Sequence, residues 1–155
     1  VWVTDIEDVP QALAAMRRLF VEALGWDAPS WLDDADAAWA TPRPLTRRAV
    51  VPIWRDPWMA VGPRTYTSDL LTRIGWTNAL AGPDADPSDR YPHVDLADLD
   101  HPGVDLVLLP DEPYVFTAED GPEAFTHVPT QLVSGRLLTW YGPAMVEAHE
   151  GLNHD

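Results

Sequence analysis

The stretch Val104-Asp105-Leu106-Val107-Leu108-Leu109-Pro110 constrains this chain more than any other. Successive side chains of a strand point to opposite faces, so an unbroken apolar run has to be covered on both sides. It reads as the buried strand of an α/β sheet, and it ends in a polar and aromatic loop, Asp111-Glu112-Pro113-Tyr114-Val115-Phe116.

Other strands are expected at Ala49-Val50-Val51-Pro52-Ile53-Trp54, at residues 131–133, and at Leu137-Leu138-Thr139-Trp140-Tyr141-Gly142-Pro143, after a turn at Ser134-Gly135. The chain opens with Val1-Trp2-Val3-Thr4-Asp5-Ile6, an apolar, β-branched run with the look of a buried strand, so it reads as the later part of something longer.

Helices fall between these runs. Asp8-Val9-Pro10-Gln11 has the form of a helix start, with Asp8 as cap; Val9, Leu13, Met16, Phe20 and Leu24 recur at helical spacing, and Gly25 stops the helix. A more polar helix is expected over residues 30–40, capped by Ser30, with Asp33, Asp34 and Asp36 suited to its N-terminal dipole. Residues 65–74 give a short helix with Leu70, Leu71 and Ile74 inward, residues 119–125 another, and residues 145–149 the last. A Pro- and Asp-rich stretch at 81–89 reads as a solvated loop. Strands alternating with helices favour a three-layer α/β/α lobe with a mostly parallel sheet. No internal repeat is present.

Composition narrows the partners. A formal charge of −15 over 155 residues argues against nucleic acid and anionic membrane surfaces, both of which need basic patches. Without a single Cys there is no thiolate metal site and no cysteine nucleophile. No run approaches the ~18 apolar residues of a membrane span, and the first residues lack the basic start and apolar stretch of a signal peptide. Gly-rich phosphate loops and the Gly-x-Ser-x-Gly elbow are both absent.

Three strand ends bring Trp54, Arg55, Asp56, Trp58, Met59, Glu112, Tyr114, Trp140 and Tyr141 toward one place, and flat aromatic faces suit a large planar ligand. Packing is the alternative for each Trp, and the better one for Trp2, Trp26, Trp31, Trp39 and Trp76. Arg55 and Asp56 could pair with each other or with Glu112 in a structural network, or Arg55 could present its fork to a ligand. His93 could be an axial metal ligand or simply a surface residue, and His149 and His154 fall in a tail expected to fray. No spacing forms a dedicated metal cage, and no catalytic set stands out.

The segments Val1-Trp2-Val3-Thr4-Asp5, Pro52-Ile53-Trp54-Arg55-Asp56-Pro57-Trp58-Met59-Ala60-Val61-Gly62, Arg90-Tyr91-Pro92-His93-Val94, Val104 to Leu109, and Leu137 to Pro143 together resemble one family, the helical-backbone metal receptor superfamily. These are substrate-binding proteins that deliver cobalamin, haem and ferric siderophores to ABC importers. The resemblance implies two α/β lobes joined by a long helix. Residues 1–6 would be the last strand of a missing first lobe, 7–47 the helical linker, and 48–155 the second, ligand-binding lobe. It further implies that the cleft is lined from the loop Trp54 to Met59, from Tyr91, and from Trp140 and Tyr141.

It places Ala97, between Asp95 and Asp98, where cobalamin binders carry a docking carboxylate, and Ala144 where a basic residue often follows the last aromatic segment. The function it implies is non-enzymatic: capture of a metal chelate with no resident cofactor, by a monomer partnered with an ABC permease, extracytoplasmic or membrane-associated in a full-length member. A lobe without its partner is expected to bind weakly. Two rivals remain at the level of sequence. One is a hydrolase-like enzyme on a similar scaffold using Asp56, Glu112 and His93, and the other an interaction domain with an exposed Trp face.

Overall fold

The structure is a computed structural model and describes residues 1–152. In chain order its strands are β1 (Arg47–Val50), β2 (Pro52–Trp54), β3 (Met59–Ala60), β4 (Trp76–Asn78), β5 (Leu106–Pro110) and β6 (Thr130–Val133). Strands β4, β1, β5 and β6 lie side by side in that order as one four-stranded parallel sheet, while β2 and β3 form a separate antiparallel hairpin. The helices are α1 (Val9–Arg18), extended by a π-helical turn over Leu19–Ala23, α2 (Trp31–Trp39), α3 (Tyr66–Arg73), α4 (Leu96–Leu99), α5 (Gly135–Thr139) and α6 (Ala144–Gly151).

Every residue of β5 is buried, as its apolar run requires. Leu106 and Leu108 turn to the same side as Ala49, where they meet Leu13 of α1, Leu32 and Trp39 of α2, Leu70 and Leu71 of α3, Leu138 of α5 and Met145 of α6. Val107 and Leu109 turn with Val50 to the opposite side, against Leu99, Val104, Phe116, Phe125 and Val128. One face therefore carries a full helical layer. The other is closed by the single turn of α4, a 3-10 turn over Pro122–Ala124, and loops.

The starts of α1 and α3 follow their capping chemistry, whereas Ser30, the cap expected for α2, is itself helical in backbone and makes no side-chain capping bond. The Asp8 carboxylate accepts from the Gln11 N–H at 2.7 Å, and Thr65 Oγ1 accepts from the Ser68 N–H at 3.2 Å. Gly25, at φ +66, takes the left-handed turn that ends the first helical segment. Buried polar groups then tie elements together. Trp39 Nε1 donates to the Met145 carbonyl at 2.9 Å, and Thr67 Oγ1 to the Leu138 carbonyl at 2.9 Å.

Several expectations are corrected. Residues 137–139 belong to helix α5 rather than a strand, because the sheet ends at β6 and Leu138 is drawn under α3 into the helical layer. The helix expected over 119–125 is reduced to Pro122–Ala124: Thr117 Oγ1 takes the N–H groups of Glu119 and Asp120, and Gly121 sits at φ +130. Residues 1–6 form no strand among the described residues. The sheet's edges are β4 and β6, this segment pairs with neither, and only Ile6 of the six is buried. Helices α1 and α2, in the stretch expected to link two lobes, share the core with the sheet. Trp39 and Trp76 are packed as expected. Trp2 and Trp26 are exposed instead, Trp2 lying under Arg18 and Trp26 tilted against Phe20. His149 does not lie in a frayed tail but on α6, edge-on to Trp39; His154 lies outside the described residues.

Candidate functional site

Beyond the end of β1 the chain turns into the β2–β3 hairpin, and residues 89–94 run back alongside it. The N–H groups of Gly62 and Ala60 donate to the Arg90 and Pro92 carbonyls at 2.8 and 3.1 Å, and Val94 donates to Trp58 at 3.1 Å. Met59 and His93 pair as an antiparallel bridge, so this strap acts as a third strand on the hairpin. Its approach depends on Gly62, since a Cβ there would stand 2.2 Å from the Asp89 carbonyl oxygen. Buried Asn78 secures the same corner from below, donating to the Val61 and Gly62 carbonyls.

The strap brings Arg90 and Tyr91 to the rim of a cavity of about 560 Å³. Ile53 of the hairpin, Val61 and Ile6 supply apolar surface, and α3 contributes Tyr66 and Thr67 from its first turn. Glu112 and Pro113 come from the loop after β5, and Thr139, Trp140 and Tyr141 from the end of α5. Three of these aromatics are notably open, with Tyr91 47%, Trp140 56% and Tyr141 40% exposed. Tyr66, by contrast, is only 5% exposed, with the Tyr141 ring packed edge-on against it. Burial first, then Asp69 and Tyr141, push the Tyr66 phenol well above its ordinary pKa, so it stays protonated and neutral.

The sequence-derived set divides. Tyr91, Glu112, Trp140 and Tyr141 border the cavity. The remainder lie elsewhere. Arg55 pairs with Asp120 and Glu123 and lies over the Trp58 ring, and its guanidinium is driven above its ordinary pKa chiefly by the hydrogen bond to Glu123. The network that Arg55 joins runs through Asp120 and Glu123 and not through Glu112. Trp58 stacks on Phe116 and meets Phe125 edge-on, which makes it a packing residue of the thinly covered face. Tyr114 donates to Asp120 at 2.6 Å, and Trp54 stands edge-on to Tyr114 while remaining 45% exposed.

Asp56 is exposed at the hairpin tip, with Oδ2 3.6 Å from Arg55 Nε. Met59 and His93 contribute through the backbone bridge, and the His93 side chain is exposed. Of Asp56, Glu112 and His93, only Glu112 borders the cavity. Among the described residues no group of three or more His, Cys, Asp or Glu side chains could hold a metal ion. Ala97 is exposed on α4, flanked by exposed Asp95 and Asp98, whereas Ala144 is buried at the start of α6.

Sequence reasoning missed Tyr66, Arg90 and the strap. The one signal was a phenol four residues before Leu70 on the inward face of α3, an expensive place for a hydroxyl unless it has a task.

No protein-family model and no curated protein sequence matches this chain. Solved structures do match. A periplasmic binding protein from Veillonella parvula superposes with a TM-score of 0.71 at 18% identity, covering 94% of this chain and 56% of that one. A possible iron-binding (periplasmic solute-binding) protein from Staphylococcus epidermidis gives 0.72 at 13% identity, covering 99% and 64%. The periplasmic heme-binding protein RhuT from Roseiflexus sp. RS-1 gives 0.69 at 14% identity, covering 95% and 62%. The chain thus spans less than two thirds of each of these proteins, and its fold is the α/β fold of periplasmic binding proteins.

Proposed function

We propose that this chain is the ligand-binding lobe, with its helical linker, of a substrate-binding protein that captures a metal chelate such as cobalamin, haem or a ferric siderophore for an ABC importer. The observation that carries the reading is the cavity of about 560 Å³ at one end of the sheet, rimmed by the open rings of Tyr91, Trp140 and Tyr141. Large apolar faces left in water at a concave site suit a broad, flat ligand, with a few polar groups fixing its orientation. In this reading residues 1–6 continue a preceding lobe, 7–47 connect the two, and closure of both lobes on the ligand completes the site. The protein acts outside the cytoplasm as a monomer, without catalysis, and meets an ABC permease.

Titration of the intrinsic Trp fluorescence with cyanocobalamin, haem and ferric siderophores tests this. Quenching by one of them, weakened in Trp140→Ala, is expected. No quenching by any, on this chain and on one that carries a preceding lobe, overturns it.

A further inference from the structure

Two formally charged residues border the cavity, Arg90 and Glu112, and they are answered differently. The terminal nitrogens of Arg90 hold Asp5 at 3.0 Å and the Ile6 carbonyl at 2.7 Å, so a carboxylate already matches its charge. Glu112 forms no ion pair among the described residues. The chain contains no Lys, and of its 10 Arg only Arg90 is on the lining. Hydroxyls do not make up for this. Thr67 donates its one hydrogen to the Leu138 carbonyl at 2.9 Å and Thr139 to the Gly135 carbonyl at 2.8 Å, which leaves both as acceptors. The most open lining surface is aromatic, from Tyr91, Trp140 and Tyr141.

We propose that the cavity takes a positively charged ligand, a cationic metal chelate, and discriminates against anionic ones. The proposal rests on the reading of this cavity as the ligand cleft. The faces of the Tyr91, Trp140 and Tyr141 rings are the negative part of each ring's quadrupole and attract a cation laid over them. Glu112 adds a formal negative charge to the same lining. Its Oε1 is shielded from the cavity, so Glu112 acts through its electric field, which falls off gradually with distance and needs no contact with the ligand. The Arg90–Asp5 pair contributes no net charge. An anion entering here meets the Glu112 carboxylate with no unmatched cation on the lining to offset it, and the overall charge of −15 adds to the repulsion. Haem, with its two propionates, is thereby disfavoured relative to a cationic chelate.

Three ligand series, each with a constant core and a graded charge, test this by fluorescence quenching at neutral pH. They are ferrioxamine B with its N-acetyl and N-succinyl forms, cyanocobalamin with its aminoethylamide and monocarboxylate forms, and haem with its bis-amide and bis-aminoethylamide. Within whichever series binds, affinity is expected to fall from the cationic through the neutral to the anionic member, by at least about tenfold from end to end. One cation–π contact at an open ring accounts for about twofold to fivefold of that, and the field of Glu112 for the rest. Glu112→Gln should shrink the end-to-end ratio by about threefold or more, and Tyr91→Leu should shrink it by about twofold or more. Asp27→Asn removes the same charge at an exposed site off the lining and should leave the ratio unchanged. Equal affinities within a series, a preference for the anionic member, ratios unmoved by both lining variants, or a ratio that Asp27→Asn shrinks as much as Glu112→Gln would overturn the charge selection alone. Binding of no member of any series overturns the cleft reading and the selection with it.

Discussion

Replacing Gly62 by Ala probes how the cavity rim is built. The added Cβ would lie 2.2 Å from the Asp89 carbonyl oxygen and 2.9 Å from that of Arg90, both of them backbone atoms that no side-chain rotation can move aside. Non-bonded atoms rest at about 3.5 Å, so the strap over residues 89–94 has to retreat by about 1.3 Å. That displacement breaks the 2.8 Å bond from the Gly62 N–H to Arg90 and stretches the 3.1 Å bond from Ala60 to Pro92. At about 1 kcal/mol for each backbone hydrogen bond, with some added strain, Gly62→Ala should lower stability by about 2–3 kcal/mol. Urea unfolding followed by Trp fluorescence measures it, with Gly82→Ala as the control, since a Cβ at Gly82 meets nothing within 4 Å. Because Arg90 and Tyr91 move with the strap, ligand quenching should weaken as well. A Gly62→Ala protein within about 0.5 kcal/mol of the parent would refute the close backbone approach on which the description of the rim depends.

The two exposed-versus-packed tryptophans should separate cleanly. Trp58→Ala removes a ring stacked on Phe116 and is expected to cost about 3 kcal/mol or more in chemical unfolding. Trp140→Ala, at a 56% exposed ring, should stay within about 0.5 kcal/mol and lose binding instead. Asn78→Leu leaves the Leu80 N–H and the Val61 and Gly62 carbonyls without their buried partner, and a loss of about 2–4 kcal/mol in thermal or urea unfolding is expected. Asp100 links pH to stability. Its desolvation favours the neutral acid, but hydrogen bonds from Thr126, His127 and Val128 prevail and hold it well below the ordinary carboxylate range. A depressed folded pKa contributes stability at pH above the unfolded value of about 3.9 and loses it as pH falls further, so Asp100→Asn should flatten the acid limb of the stability profile.

Local chemistry was legible in the linear sequence wherever short-range effects dominate. The Asp8 and Thr65 helix starts, the stop at Gly25, the buried strand β5 and the inward face of α3 all follow from capping groups and apolar spacing within a few residues. The parallel sheet followed as well, because an unbroken apolar strand has to be covered on both faces. Leu137 and Leu138 misled for the same local reason: two apolar residues before a Trp fit a strand or a short helix equally, and the end of the sheet at β6 decided between them.

The site was less legible because its residues are distant in the chain. Tyr91, Glu112, Trp140 and Tyr141 were identifiable as aromatic or charged residues in strand-end loops and a family-like segment, and they do meet at one cavity. Arg55 and Trp58 carry the same chemical types, yet Asp120, Glu123 and Phe116 claim them. Residue type in sequence establishes what a side chain can bond to. Which partner it meets is decided by tertiary structure, since hydrogen bonds and ring contacts fall off within a few ångströms and only folding sets those distances. The apolar run at 104–110 by itself determined that this chain builds a covered sheet. The strap closed over Gly62, and the cavity at whose rim it sets Arg90 and Tyr91, belong to the folded protein alone.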